Sequence, residues 1–283
     1  MSQRPAATVP GGSRLKWAFA DAMVITRRNL LRFVRIPALL VFSVVQPLMF
    51  VLLFVYVFGG NLIKIPGVSY VNFLLPGIFV QTAIFGSTNT GIGLAEDLGS
   101  GIIDRFRSLP MARSAVLAGR TFADLGRNLV VVGMMIAVGY LVGFSFKAGP
   151  IDALGAVGLA VAVGYAFSWI SASIGLAIKD TESVQAASFT WIFPLTFVSS
   201  ALVPVRGMPK FLQAVARNNP VTIWANTVRY LTVGRVYDPT HHIWISPAPG
   251  DSPGSLIVKS TVWIVVLLLV FVPVSVRTYR KVA

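Results

Sequence analysis

Six stretches of this chain run for about twenty residues with almost no charge, and no other feature limits its fold as much. A helix needs roughly 20 mostly apolar residues to cross the hydrocarbon core of a bilayer. Residues 37–58, 128–146, 153–178 and 184–205 carry no charge, and residues 256–276 carry only Lys259, near one end. A lysine there snorkels to the headgroups. Residues 73–95 are uncharged too, but contain Gln81, Ser87, Asn89 and four glycines. A polar face buried between helices accounts for them. Lipid cannot satisfy backbone groups, so only helices and closed barrels cross it. Barrel strands alternate apolar and polar residues, whereas residues 48–54 and 262–272 are apolar on every side. The expected fold is therefore an all-α polytopic membrane protein with six transmembrane helices.

Composition agrees. Of 283 residues, 55% are hydrophobic and 12% are charged, about half the charged share of a soluble domain. Six crossings put both termini on one side. That side carries sixteen Lys and Arg residues against eight on the other, which places both termini in the cytoplasm and the chain in a cytoplasmic membrane. The same asymmetry accounts for the net charge of +14, so no nucleic-acid partner is expected; the aromatic-and-basic modules that bind nucleic acid are missing. The first apolar run begins at Pro37, too late for a cleaved signal peptide. With no cysteine there is no disulfide, thiolate metal site or palmitoylation.

Residues 1–36 read as a cytoplasmic tail leading into an amphipathic helix. Leu15, Phe19, Ala22, Met23, Leu30 and Phe33 fall at three- and four-residue spacing, with Arg14, Asp21, Arg28, Arg32 and Arg35 on another face. Such a helix lies in the membrane interface and is drawn to anionic lipid; transmitting force from a cytoplasmic partner is the sharper reading. In the cytoplasmic loop 97–120, Ser100 is expected to cap a short helix. Ile102, Ile103, Phe106 and Leu109 form its apolar side, Asp104, Arg105 and Arg107 its polar side, and Pro110 ends it. A second short helix is expected over 112–119. An amphipathic helix of this kind suits a groove on another protein; its alternative is a lipid-facing interfacial helix. On the opposite side, 207–236 holds two half-apolar pieces too short to span, 211–217 and 221–231, separated by Pro220. They fit re-entrant helices. Residues 238–253 read as irregular.

The chemistry-bearing motifs are missing. There is no phosphate loop; Gly59-Gly60 is followed by Asn61 and Leu62. His241 and His242 are adjacent, without metal-ligand spacing. No acidic residue falls inside an expected span, which argues against a proton-coupled carrier, and no repeated half is visible. The chain is expected to span a membrane, to offer a docking surface inside, and to draw its energy from elsewhere. Gln46, Gln81, Asn89, Thr190, Thr196 and Ser199 are the polar positions inside spans and the candidate pathway residues; hydrogen bonds between helices are an equal alternative.

Several motifs resemble ABC type-2 transporter permeases of the daunorubicin/doxorubicin-resistance type. In the loop these are Glu96, Gly101, Asp104-Arg105-Phe106-Arg107, Leu109-Pro110-Met111, Arg113, Leu117, Gly119-Arg120 and Asp124. Elsewhere they are the segment 28–37, Gln46-Pro47, and Asn219-Pro220 followed by Arg229 and Gly234. The resemblance implies six spans, an interface helix bearing Arg28, Arg32 and Arg35, a coupling helix, and outer re-entrant helices around Asn219, Pro220 and Arg229. It implies that two permeases, identical or related, pair with two ABC ATP-binding subunits. ATP and Mg would be bound by those subunits, and lipophilic drugs, lipids, lipid-linked glycans or polyketides would be exported. Glu96, Ile103, Asp104, Arg105, Phe106, Arg107, Leu109, Pro110, Arg113 and Arg120 are then the coupling residues, with Glu96 expected to pair with a basic residue of the loop or the N-terminal helix. A non-transporting scaffold and a passive channel are the alternatives from other classes.

Overall fold

The computed structural model describes residues 14–58, 68–102, 113–234, 236–238, 243–245 and 252–282. In chain order its elements are α1 (Arg14–Arg35), α2 (Pro37–Leu52) running into a π-helical turn (Leu53–Phe58), α3 (Tyr70–Gly86) and α4 (Thr88–Gly99). There follow α5 (Arg113–Leu141), α6 (Pro150–Ile178), α7 (Thr181–Phe197), a 3-10 turn (Val205–Gly207), α8 (Lys210–Asn218) and α9 (Pro220–Val233). Strands β1 (Val236–Asp238) and β2 (Ile243–Ile245) precede α10 (Pro253–Val282).

The segment richest in small residues becomes the hub. Glycine, alanine and serine on α6 let α3, α4, α5, α7, α9 and α10 all pack against it. A helix apolar all round belongs inside a bundle. At its closest crossing the backbones of α4 and α6 touch: a Cβ on Gly175 would overlap the Gly91 carbonyl, and one on Gly91 would overlap that of Ser171. Gly175→Val is expected to cost about 3 kcal/mol or more through overpacking and to lower the thermal midpoint in detergent. Gly158→Val, on the same helix with open space around it, is expected to leave the midpoint unchanged. Hydroxyls tie the rim together and to the hub: Ser275 on α10 donates to the Trp169 carbonyl of α6 at 2.9 Å, and Thr227 on α9 meets Ser260 on α10 at 2.7 Å. The outward side of α10, including Val262, Leu269 and Val270, is exposed and apolar.

Four helical segments are long and apolar enough to cross a membrane: Tyr70–Gly99, Val116–Leu141, Pro150–Ile178 and Pro253–Val282. Val41–Val57 is apolar but shorter. The first of the four is α3 and α4 joined at Ser87. The chain is thus a multi-pass helical membrane protein.

Several element boundaries differ from expectation, each for a local reason. α5 is one helix from Arg113, so 113–119 is its beginning and no separate element. It ends at Leu141 rather than Phe146, because Gly143 takes a left-handed φ of 95° and Phe144 N–H turns back to Gly139 O at 2.8 Å. α7 ends at Phe197, not Val205. Its 17 residues reach about 25 Å, short of the roughly 30 Å core. Asn219 Nδ2 donates to Leu195 O and Val198 O, both at 2.7 Å, satisfying carbonyls that a longer helix would have used. Ser100 closes α4, its hydroxyl donating to Glu96 O at 2.8 Å. Residues 236–245 are not wholly irregular: β1 and β2 pair antiparallel, with Tyr237 opposite Trp244. Between α6 and α7, Lys179 is left-handed (φ 65°) and Asp180 caps α7 through Ser183 N–H at 2.8 Å. The Ser183 side chain and backbone hold the Asp180 carboxyl below the usual carboxylate range.

α1 packs along α5, as an amphipathic helix should, but on a different face. Ala22, Ile25, Thr26 and Phe33 are buried, while Phe19 and Met23 are exposed. Gly119 sets this choice: a Cβ there would meet Ala22 O at 2.6 Å and Ile25 Cβ at 2.7 Å. Thr26 Oγ1 donates to Gly119 O at 3.1 Å.

Candidate functional site

Three polar assemblies interrupt the apolar bundle. The first lies where α4 and α5 flank residues 103–112. α5 is joined to α4 and to the end of α3 by antiparallel polar rungs. Arg127 donates to the carbonyl of Gly86, the last residue of α3, Thr90 Oγ1 donates to Asp124, and Arg120 pairs with Asp97 at 2.9 Å. Arg127 also pairs with Asp124 at 3.1 Å, one turn away on its own helix. Gly93 makes room for Arg120: a Cβ there would overlap the guanidinium. From α1, Arg28 reaches the same Asp97 oxygen at 3.6 Å. One buried carboxylate thus ties three helices together. Ile25, Leu94, Val116, Leu117, Trp169 and Leu176 pack as an apolar layer there.

This corrects one expectation. Asp124 lies inside the Val116–Leu141 segment, so an acidic residue does sit within a crossing-length helix. The carboxylate that meets both Arg28 and Arg120 is Asp97; its neighbour Glu96 is exposed on the last turn of α4. The missed signal was spacing. Arg120, Asp124 and Arg127 recur at four and three residues, which puts them on one helical face. Ile103, Asp104, Arg105, Phe106, Arg107, Leu109 and Pro110 lie outside the described residues, as do His241, His242 and the side chains of Arg32 and Arg113. Arg35 is exposed on the last turn of α1.

The second assembly is a cavity of about 100 Å³ between α2, α3, α4 and α5. Ser43, Gln46, Gln81, Thr82 and Asn89 line it, with Arg127 and Asn128 from α5 and Phe50 and Phe85 as apolar walls. Three of the six candidate pathway residues, Gln46, Gln81 and Asn89, therefore meet in one place although they come from two segments. The other three do not join them. Thr190 donates to Ala186 O, Thr196 to Ile192 O (both at 2.8 Å), and Ser199 to Thr196 O. Hydroxyls bonded back to their own helix are already satisfied.

The third assembly lies at the far end of α3. Arg229 on α9 is fully buried. Its Nε donates to Phe73 O at 2.7 Å. One terminal nitrogen donates to Ser200 Oγ at 3.0 Å and Asn226 Oδ1 at 2.8 Å. The other donates to Ser200 O, and to Ala201 O at 2.9 Å. The guanidinium stands 3.7 Å from the centroid of the Phe73 ring. Among the described residues no carboxylate pairs with it. The Asn219-Pro220 pair opens the same helix: Pro220 takes the first position and Asn219 Oδ1 accepts from Val221 N–H at 2.8 Å.

Crossing-length apolar helices that enclose such buried polar assemblies define a multi-pass helical membrane protein. Residues 21–233 match the ABC-2 type transporter family, and the chain belongs to it. Its relatives include the daunorubicin resistance ABC transporter permease protein DrrB1 of Streptomyces coeruleorubidus, 32% identical over 95% of this chain and 90% of that protein. The probable doxorubicin resistance ABC transporter permease protein DrrC of Mycobacterium tuberculosis is 26% identical over 80% of this chain and 82% of its own length. The putative transport permease ycf38 of Cyanophora paradoxa is 27% identical over 75% and 73%.

Proposed function

We propose that this chain is the membrane subunit of an ATP-driven exporter of lipophilic, drug-like molecules. Six segments cross the cytoplasmic membrane with both termini inside, and α8 and α9 re-enter from outside. A second permease completes the path, and two ABC ATP-binding subunits dock on residues 103–112. The observation that carries this reading is the similarity along nearly the whole chain to a permease named for daunorubicin resistance. The ion cluster on Asp97 supports it, because it clamps together the two helices that lead into and out of the docking segment. Motion imposed on 103–112 would then reach α1, α4 and α5 at once.

The test is ATP-dependent accumulation of a lipophilic dye in inverted vesicles holding the permease with its ATP-binding subunit. The double variant Phe106→Asp/Arg107→Glu is expected to weaken copurification at least about thirtyfold, the scale of a lost interface hot spot, and to abolish accumulation. Intact copurification and export in that variant would remove 103–112 as the docking site. Dye flux without ATP would indicate a channel, and copurification without flux a scaffold.

A further inference from the structure

We infer that the outward side of α8 binds the headgroup of an anionic phospholipid, such as phosphatidylglycerol, in the outer leaflet. This rests on the reading above that α8 and α9 re-enter from outside, and adds the lipid chemistry that holds α8 there.

The helix has three faces. α8 packs against α9 and the 3-10 turn, burying Ala216 and half-burying Leu212. Phe211 and Val215, one turn apart, form an apolar ridge that is 71% and 57% exposed. Lys210 and Arg217 stand beside that ridge on the exposed polar face. Seven residues apart, they lie on the same side of the helix at a rise of roughly 10 Å. Arg206, in the turn before the helix, is exposed too. Gln213 steadies the group: its Nε2 donates to Met208 O at 2.9 Å and its Oε1 accepts from Arg217 at 3.4 Å. An apolar ridge flanked by cations is the pattern of a helix lying in the plane of a leaflet, with its apolar side chains among acyl chains and its cations at the phosphates.

Depth agrees. α7 starts at the Asp180 turn, and its 17 residues reach about 25 Å against a core of roughly 30 Å. Asn219, which ends α8, donates to the carbonyls of Leu195 and Val198 at the far end of that short span. α8 is thereby anchored at the boundary of acyl chains and headgroups rather than above the membrane.

Charge selects the headgroup. Residues 183–237 contain no Asp or Glu, but hold Arg206, Lys210, Arg217, Arg229 and Arg235. Arg229 is buried and bonded inward. Among the described residues no carboxylate pairs with Arg206, Lys210 or Arg217. Cations here run against the bias that gathers Lys and Arg inside. Three within residues 206–217 call for a counter-charge that this segment does not supply. A zwitterionic lipid balances its phosphate with its own amine, whereas an anionic lipid leaves net charge that attracts each basic side chain at the surface. A soluble acidic segment would meet the cations alone; a lipid covers cations and ridge together.

The chain has no cysteine, so Ala214→Cys on the exposed side of α8 places one fluorophore there in the full-length protein. The protein is set in phosphatidylcholine nanodiscs containing a small, equal share of nitroxide-labelled phosphatidylglycerol or nitroxide-labelled phosphatidylcholine. Quenching is expected to show a preference for phosphatidylglycerol of about thirtyfold, the scale of two basic side chains at a charged surface. Lys210→Gln/Arg217→Gln is expected to bring the two lipids to within about twofold of each other, with an unchanged thermal midpoint in neutral detergent. Raising salt from about 0.1 to 1 M, which shortens the screening length from about 10 to 3 Å, is expected to remove most of the preference in the unmutated helix; this measurement does not depend on how the variant folds. Equal quenching by both lipids would leave α8 in the membrane and overturn the headgroup assignment alone. So would a preference that the double variant and high salt both leave intact. Quenching by neither lipid would overturn the re-entrant reading as well, and energy transfer between labels on two copies would then give the ridge to a second copy of the chain.

Discussion

Arg229→Met is expected to leave little folded protein. The substitution keeps an apolar stem of similar length but strands the carbonyls of Ser200 and Ala201 in buried surroundings and removes a second donor from the Phe73 carbonyl. An orphaned buried acceptor costs about 1–3 kcal/mol, so two amount to roughly 2–6 kcal/mol against a typical total stability of about 5–15 kcal/mol. The damage also spreads. These carbonyls hold the 198–204 segment, which crosses so close to α3 that a Cβ on Gly77 would overlap the Ala201 carbonyl. Without the guanidinium, α3, α9 and this segment lose their common partner. Arg229→Lys is expected to be intermediate, since an ammonium offers three donors and no planar fork to serve acceptors on several sides. Arg217→Met, on the exposed face of α8, is the control and is expected to behave as wild type. The measurement is the monodisperse fraction in mild detergent together with its thermal midpoint. A wild-type midpoint for Arg229→Met would mean that those carbonyls find other donors and that Arg229 does not hold this end together.

That arginine also shows how far sequence reasoning reaches. It stood out as part of a motif, but a single cation on a short, half-apolar helix reads as a polar face. Its burial depends on carbonyls from a segment 28 and 29 residues away in sequence, and on Phe73, 156 residues away. The apolar runs were legible because lipid imposes one rule on every residue of a span. Their ends were not, because single side chains and turns set them: Asn219 where α7 stops, Gly143 where α5 stops. Charges misled in a consistent way. Arg113 and Arg120 fall in the expected loop because charge normally marks the edge of a span, yet α5 carries both. Arg120 and Arg127 are neutralised by Asp97 and Asp124. Hydroxyls inside spans gave one signal for two situations. Thr196 bonds its own helix, while Thr82 faces a cavity, and only the packing of three other helices separates them.

Asp97→Asn is expected to uncouple ATP hydrolysis from transport. Asp97 is 4% exposed at its side chain and receives Arg120, 13% exposed, and Arg28, 40% exposed. Removing one member of a buried ion pair costs about 3–5 kcal/mol, because the partner charge stays buried and unpaired. Most of that falls on Arg120; the more exposed Arg28 contributes little. The lower rungs at Thr90–Asp124 and Gly86–Arg127 remain, so the bundle is expected to fold. What changes is the neck beside the proposed docking segment, where α4 and α5 become free to slide past each other. ATP-binding subunits would still attach at 103–112 and hydrolyse ATP, but their displacement would be absorbed at the neck. The expected result is near-normal copurification and ATPase activity, with dye accumulation per ATP reduced at least about tenfold, a loss of coupling worth no more than half of the broken pair. Gly93→Ala provides an independent route to the same state, since its Cβ would displace the Arg120 guanidinium while leaving every charge in place. If both variants lose coupling, geometry at this carboxylate rather than net charge is responsible. If Asp97→Asn transports at the wild-type ratio, force passes from the docking segment to the bundle by another route, and the ion cluster serves stability alone.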